Sequence, residues 1–240
     1  MVDYQLIKQL SVKYQTREEN VLREYLQHLF LYYFYLQSGS KHFLFKGGTA
    51  LRLVYGSPRF SEDLDFTGLR NGHQYERILL NTLSHLVSEG IEVNLEESKK
   101  TSGGWLATFQ LMIFNQAIFL RNEISLRTKE SNGEPVLISS DFIPAYQIFI
   151  LKPRFLVEEK VQALLTRNKA RDIFDFYFIL RNENLRKLVK LSKKEQERLL
   201  MLLEKSESKL LQEELRHLLP ISFNPILRDL SKRVINELKK

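Results

Sequence analysis

The stretch from Phe43 to Phe66, FLFKGGTALRLVYGSPRFSEDLDF, carries the fold-deciding pattern of this 240-residue chain. Phe43, Leu44 and Phe45 form an apolar run that stops at Gly47-Gly48, and Ala50, Leu51, Leu53 and Val54 then resume at helical spacing. That pattern predicts a strand, a tight corner and a helix N-terminus. Glycines let a backbone approach an anion closely, and the free N–H groups and dipole of the first helical turn favour negative charge. Further on, Asp63 and Asp65 stand two apart in a strand-like segment, so both side chains point to one face. At about 3.3 Å per residue their Cα atoms lie ~6.6 Å apart. Such a pair can bracket one or two divalent ions, which stand about 3.5–4 Å apart in two-metal sites. A phosphate cradle joined to a carboxylate pair predicts nucleotidyl transfer. A Walker-type loop does not account for the glycines, because its Gly-x-x-x-x-Gly-Lys-Ser/Thr spacing is absent and Lys46 precedes them.

The segment KGGTALRLVYGSPRFSEDLDF resembles the signature of the AbiEii/AbiGii-type nucleotidyltransferase toxins, within the DNA polymerase β-like nucleotidyltransferase superfamily. LVEEKVQALLTRNKARDIFDFYFIL, from Leu156 to Leu180, resembles that family's second, helical signature. The two blocks cover roughly a fifth of the chain. Many superfamily members carry Gly-Ser at the first corner; Gly48-Thr49 keeps a hydroxyl there.

From these blocks the expected roles follow. Asp63 and Asp65 are the metal ligands. Lys46, Gly47, Gly48 and Thr49 form the nucleotide-binding corner, with backbone and hydroxyl donors for the β- and γ-phosphates. Ser61 would orient Asp63 or touch the triphosphate, and Arg59 would bring positive charge, unless it is only an exposed turn residue after Pro58. The superfamily often uses a third carboxylate on a neighbouring strand as base or second-metal ligand. Glu123 is the candidate, because alternation sets Arg121, Glu123, Ser125 and Arg127 on one polar face, which is otherwise a solvent face. In the helical block the resemblance implies a required lysine near the triphosphate, Lys160, with Arg167 two turns along the same face. Asp172 and Asp175 either take part in catalysis or hold Lys160 and Arg167 by ion pairing, and Arg171 would serve Asp175 equally well at i+4.

Composition bounds the answer. Hydrophobic residues at 43% and charged residues at 27% are ordinary globular values. No run approaches the ~20 apolar residues of a membrane span, the start has no secretory pattern, and the absence of cysteine excludes disulfides and thiol chemistry and fits a cytoplasmic protein. The five histidines share no ligand spacing, which argues against zinc, and no serine sits in a nucleophile elbow. Of the net charge of +7, most sits late: residues 181–240 carry 15 Lys+Arg against 9 Asp+Glu, leaving 21 basic and 20 acidic groups before them. A polyanion would dock there, or the charges simply solvate amphipathic helices.

The expected architecture is α+β: a nucleotidyltransferase-type mixed sheet with flanking helices in residues 1–150, then a C-terminal helical bundle in 151–240 that contributes to the active site. A helix is expected over 17–37, capped by Thr16 with Glu19 in a capping box, its aromatic tail LFLYYFYL packed on the sheet. A second helix is expected over 73–89. Strands are expected at 91–95, 106–114 and 119–127, with turns at 101–104 and at Asn115-Gln116. The resemblance implies Mg²⁺, two ions, with a nucleoside triphosphate as donor, an RNA acceptor, tRNA foremost, and a cognate antitoxin. Transfer to a protein or small molecule, and a catalytically silent nucleotide- or RNA-binding module, remain the alternatives.

Overall fold

A computed structural model describes residues 2–69, 73–126 and 133–239. The chain forms two compact units: residues 1–56 with 60–151, and residues 57–59 with 152–240.

The first unit is built on a seven-stranded sheet. After helix α1 (Tyr4–Lys13) and helix α2 (Glu18–Leu36) come β1 (Phe43–Lys46), α3 (Gly47–Tyr55), β2 (Asp63–Gly68) and α4 (His73–Ser88). Then follow β3 (Glu92–Thr101), β4 (Gly104–Ile113), β5 (Gln116–Ser125), β6 (Glu134–Ile138) and β7 (Tyr146–Ile150). The strand order is β3-β4-β5-β2-β1-β7-β6. β2 runs antiparallel to β1 and parallel to β5, so the sheet is mixed.

One face of the sheet is apolar and covered. Phe30 and Phe34 of α2 stack on Phe109 and Phe66 with ring centroids 5.5 and 5.0 Å apart, and all four are fully buried. The aromatic tail of α2 is thus core, and cutting Phe34 to alanine should cost about 3–5 kcal/mol. Tyr35 reaches past it, its hydroxyl donating to the carbonyls of Phe43 at 2.7 Å and Phe149 at 2.8 Å.

Several expectations shift. The expected capping box is not formed: Arg17 is the N-cap of α2 and no side chain caps there. Thr16 Oγ1 instead accepts from Asn20 Nδ2 at 2.8 Å, a side-chain bond that competes with capping. The meander strands are longer than expected, because the alternation continues through polar residues such as Glu97 and Lys99 that only pairing can order. The tight turn after β4 is Phe114-Asn115, both at positive φ (51° and 59°), the pattern of a two-residue hairpin loop, so Gln116 already belongs to β5. Between Pro144 and Pro153 lies β7, which pairs with β1 in parallel through Phe45 and Ile150. Arg127 lies outside the described residues.

The second unit is helical: α5 (Pro153–Arg167), α6 (Ala170–Arg181), α7 (Glu183–Arg186), α8 (Lys193–Glu204), α9 (Ser208–Leu215), α10 (Asn224–Leu227) and α11 (Leu230–Leu238). Pro153 begins α5, where a missing N–H costs nothing, and Asn168 ends it in the left-handed region at φ 44°. α6 lies at the centre, with Ile173, Phe174, Phe176 and Ile179 buried. No helix among the described residues is long and apolar enough to cross a membrane.

Candidate active site

The corner after β1 and the strand β2 form one constellation in the first unit. Lys46 stands opposite Asp65 across β1 and β2, and Glu123 stands opposite Asp65 across β2 and β5, with Arg121 beside Asp63. The intervening Leu64, Phe66, Asn122 and Ile124 are buried on the core face. Alternation therefore puts Lys46, Asp63, Asp65, Arg121 and Glu123 together on the other face. Asp63 and Asp65 are half-buried, and Glu123 is exposed.

Gly47 ties the two halves of the motif together. It adopts φ +84°, and a Cβ there would stand 2.1 Å from Oδ2 of Asp65. Only glycine lets the helix start that close to the carboxylate. Thr49 does something other than expected. It is fully buried, and its hydroxyl donates to the Asp63 carbonyl at 2.5 Å, so it pins α3 to β2 and is not turned to a triphosphate. The Ser61 carbonyl accepts from Gln27 Nε2 at 2.8 Å, which fixes the entry to β2. Arg52 donates to Glu24 and lies over the Phe60 ring, 3.4 Å from its centroid.

Glu123 is a neighbour in register, but its carboxylate is engaged by Arg121 at 3.0 Å, both side chains about half exposed. Among the described residues no three carboxylate or histidine side chains converge on a common point. Asp63, Asp65 and Glu123 share the sheet face in register without forming such a group. His28 meets the Tyr146 hydroxyl at 2.8 Å in the core. Burial and then the Arg52 charge push its imidazole down to about 3, so it is neutral.

The second unit holds the other candidates. Asp175, 1% exposed, accepts from Arg59 Nε at 2.7 Å and Nη2 at 3.0 Å, and from Lys160 Nζ at 2.7 Å. Burial alone would raise its carboxyl, but the Arg59 and Lys160 charges outweigh it and hold it down at about 2. Arg59 is itself 3% exposed, so it is not a surface turn residue, and Asp175 takes Arg59 and Lys160 rather than Arg171 as partners. A fork of two guanidinium N–H groups on one carboxylate suits arginine and no other side chain. Asp172 is equally buried and accepts from Arg167 Nε at 2.9 Å and Nη2 at 2.8 Å, and from the Lys169 N–H at 3.3 Å at the start of α6. Arg167 itself is 49% exposed on its side chain.

Residues 29–237 match the family described as nucleotidyl transferase AbiEii toxin, type IV toxin–antitoxin system. The chain belongs to the AbiEii family. It is accordingly a nucleotidyltransferase toxin of a type IV system, with a nucleoside triphosphate as donor and an antitoxin as counterpart. No curated protein matches the sequence. Among solved structures, JHP933 from Helicobacter pylori is 21% identical over 93% of this chain and 95% of its own, with a TM-score of 0.58. MenT4, the nucleotidyltransferase toxin Rv2826c from Mycobacterium tuberculosis H37Rv, is 14% identical over 100% of this chain and 93% of its own, with a TM-score of 0.61. At such identities the likeness is one of fold.

In the AbiEii chain the donor set suits a hard cation. Two half-buried carboxylates on one face offer oxygen ligands only, and Mg²⁺ takes one or two carboxylates and completes its shell with phosphates and water. Asp63 and Asp65 fit that requirement, and Gly47 leaves Asp65 the room. What the sequence reading passed over is the polar stripe of α2. Asn20, Arg23, Glu24 and Gln27 are all buried and recur at i, i+3, i+4 and i+7 along α2. That period was the available signal: polar residues on a core-facing stripe need partners, and Gln27 and Glu24 find theirs at Ser61 and Arg52.

Proposed function

We propose that this AbiEii toxin carries out Mg²⁺-dependent transfer of a nucleotide from a nucleoside triphosphate to an RNA acceptor, tRNA foremost, and so blocks translation in the cytoplasm. The observation that carries the reading is Gly47 seated against Asp65, which joins the helix start and the carboxylate pair into one site. In the reaction an acceptor hydroxyl forms a bond to the α-phosphorus, the α–β anhydride bond breaks and pyrophosphate leaves. A bound Mg²⁺ would lower the charge on the phosphates and polarise the reacting oxygens. Asp63 and Asp65 would hold it. The backbone N–H groups of Gly47 and Gly48, at the N-terminus of α3, are the proposed donors to the β- and γ-phosphates, with Thr49 buried behind them as their support. Lys46 is the neighbouring cation on the same face.

Within the second unit, Lys160 is the candidate phosphate-binding cation. An ammonium has three N–H groups and Asp175 takes one of them. Arg167 offers charge at its exposed side. Asp175 and Asp172 act in this reading as positioning residues that aim Lys160, Arg59 and Arg167, and Glu123 is the candidate base on the open sheet face. Ser61 supports Asp63 through the backbone bond from Gln27.

The test is incubation of the full chain with Mg²⁺, each α-labelled nucleoside triphosphate in turn and total cellular RNA, beside Asp63→Ala. Label on a tRNA-sized band, absent with the variant, is the expected result and names the nucleotide at once. Label on protein, or on neither, would overturn the RNA acceptor, and full activity of Asp63→Ala would overturn the metal site.

A further inference from the structure

The second unit contains a cleft of about 510 Å³ that the donor chemistry leaves unused, within the roughly 300–1,000 Å³ range of small-ligand sites. One wall is a stripe of α6. Phe174, Tyr177, Phe178 and Arg181 follow one another at i, i+3, i+4 and i+7 and all line it, the spacing of one helix face. The opposite side is supplied by Phe223 and by Arg233 of α11. Phe174 meets Phe223 edge-on with ring centroids 6.3 Å apart, and the Arg181 guanidinium lies 5.8 Å from the Tyr177 ring. Phe178 and Phe223 are only half-buried, so their rings form open walls and not closed core.

The charge of the lining is one-sided. Two arginines and no carboxylate line it among the described residues. The acids that touch those arginines, Glu237 at 3.2 Å from Arg181 and Asp229 at 2.6 Å from Arg233, stand outside the lining, and Glu237 is shared with Arg186. Residues 181–240, from which Arg181, Phe223 and Arg233 come, carry the basic surplus of the chain. Flat aromatic faces with planar cations are what an unpaired base and its phosphate require: every base has a face to stack, and guanidinium groups both stack and meet phosphate.

We propose that this cleft holds an unpaired nucleotide of the RNA acceptor, its base stacked against Phe178 and Phe223 and its phosphate met by Arg181 and Arg233. The proposal rests on the RNA-acceptor reading above and adds to it the place where the acceptor strand is gripped. The cleft joins the ion cluster through the chain itself, since Phe174 precedes Asp175 and Pro58, also in the lining, precedes Arg59. A base seated there would stack beside the residues that hold Lys160.

The test is fluorescence anisotropy of the full chain with fluorescein-labelled oligoadenylate RNA, beside filter binding of each of the four nucleoside triphosphates with Mg²⁺. Phe178→Ala and Phe223→Ala should each weaken RNA binding about tenfold, the loss of one stacked base. Phe223→Trp should keep wild-type affinity, and triphosphate affinity should stay within about twofold throughout. Arg181→Gln should flatten the salt dependence of RNA binding by about one unit of slope. Unchanged RNA affinity in both phenylalanine variants, with wild-type circular dichroism, overturns the cleft assignment alone. Triphosphate affinity lost with RNA affinity kept would assign the cleft to the donor's base and overturn it too. If RNA affinity holds while the antitoxin no longer rescues growth, the cleft is a protein-docking surface and the proposal falls. A wild-type chain that binds no RNA takes down the acceptor reading as well.

Discussion

Two aspartate pairs invite comparison, one on a strand and one on a helix. Asp63 and Asp65 are half-buried on the polar face of the sheet, with a glycine cut away to make room for one of them. Asp172 and Asp175 are each 1% exposed, and each is gripped by an arginine fork. The residue type is the same and the chemistry differs because the surroundings do. A carboxylate at an open, polar face can exchange partners with a cation and a substrate. A carboxylate buried between cations is already spent on holding them, and removing it leaves their charge unpaired in a dry interior. The helical pair is buried in ion pairs with basic side chains, while the strand pair lies half-buried on the polar sheet face, and the proposed function assigns them different work on that ground.

The comparison is broken most directly by substituting one member of each pair. Asp65→Asn should lower nucleotide transfer by ~10³-fold or more, about 4 kcal/mol of barrier, with a melting temperature within a few degrees of wild type. Asp175→Asn should do the reverse in kind. Leaving Arg59 and Lys160 facing a neutral amide should cost about 3–5 kcal/mol of stability, which for a chain of this size is about 6–20 °C in melting temperature. Calorimetry and the transfer assay on both variants decide it, and an Asp175→Asn protein of native stability but no activity would make Asp175 a catalytic residue.

Gly47→Ala sharpens the same contrast from the side of the helix start. The added methyl must displace the Asp65 carboxylate and hold a left-handed backbone. A loss of about 1–3 kcal/mol in stability is expected, together with a drop in transfer larger than that stability loss explains.

Acid separates the two units. The His28 imidazole protonates near 6.5 when unfolded and only near 3 in the core, so between those values the unfolded chain binds more protons. Stability contributed by His28 is therefore full above pH 6.5 and falls below it, at up to about 1.4 kcal/mol per pH unit. The Asp175 carboxyl, ordinarily at 3.8, is held at about 2, so its contribution is full above pH 3.8 and lost only between 3.8 and 2. Urea titrations at stepped pH should show stability declining from pH 6.5 downward in wild type and a flatter profile in His28→Gln. Equal slopes would mean that His28 does not set the acid response.

The smallest effect on stability is expected at Glu123. Its pair with Arg121 is exposed, so Glu123→Gln should change stability by about 0–1 kcal/mol, while transfer falls by ~10²–10⁴-fold if it serves as base. Transfer at the wild-type rate would remove Glu123 from the site.

Local pattern was sufficient for the strand-corner-helix at Phe43–Tyr55, for the alternation that aligns Asp63 with Asp65, for the mixed α and β content and for the basic surplus at the end of the chain, because each is written in the spacing of neighbours along one element. The role of Thr49 was not legible, since its hydroxyl bonds a carbonyl fourteen residues away. Nor was the pairing of Asp175 with Arg59, 116 residues distant, although its pairing with Lys160 was among the expected alternatives and is formed; nor was the reason for Gly47, which is the proximity of a side chain on another strand. Neither sheet register nor ion pairing between distant segments has a local period, and both are settled only when burial forces every polar group to find a partner. The sequence by itself determined the strand-corner-helix motif and the spacing of both aspartate pairs, because each is written along one element. The tertiary structure decided that Asp63 and Asp65 share a half-buried sheet face while Asp172 and Asp175 are buried against cations, because only packing brings distant segments together.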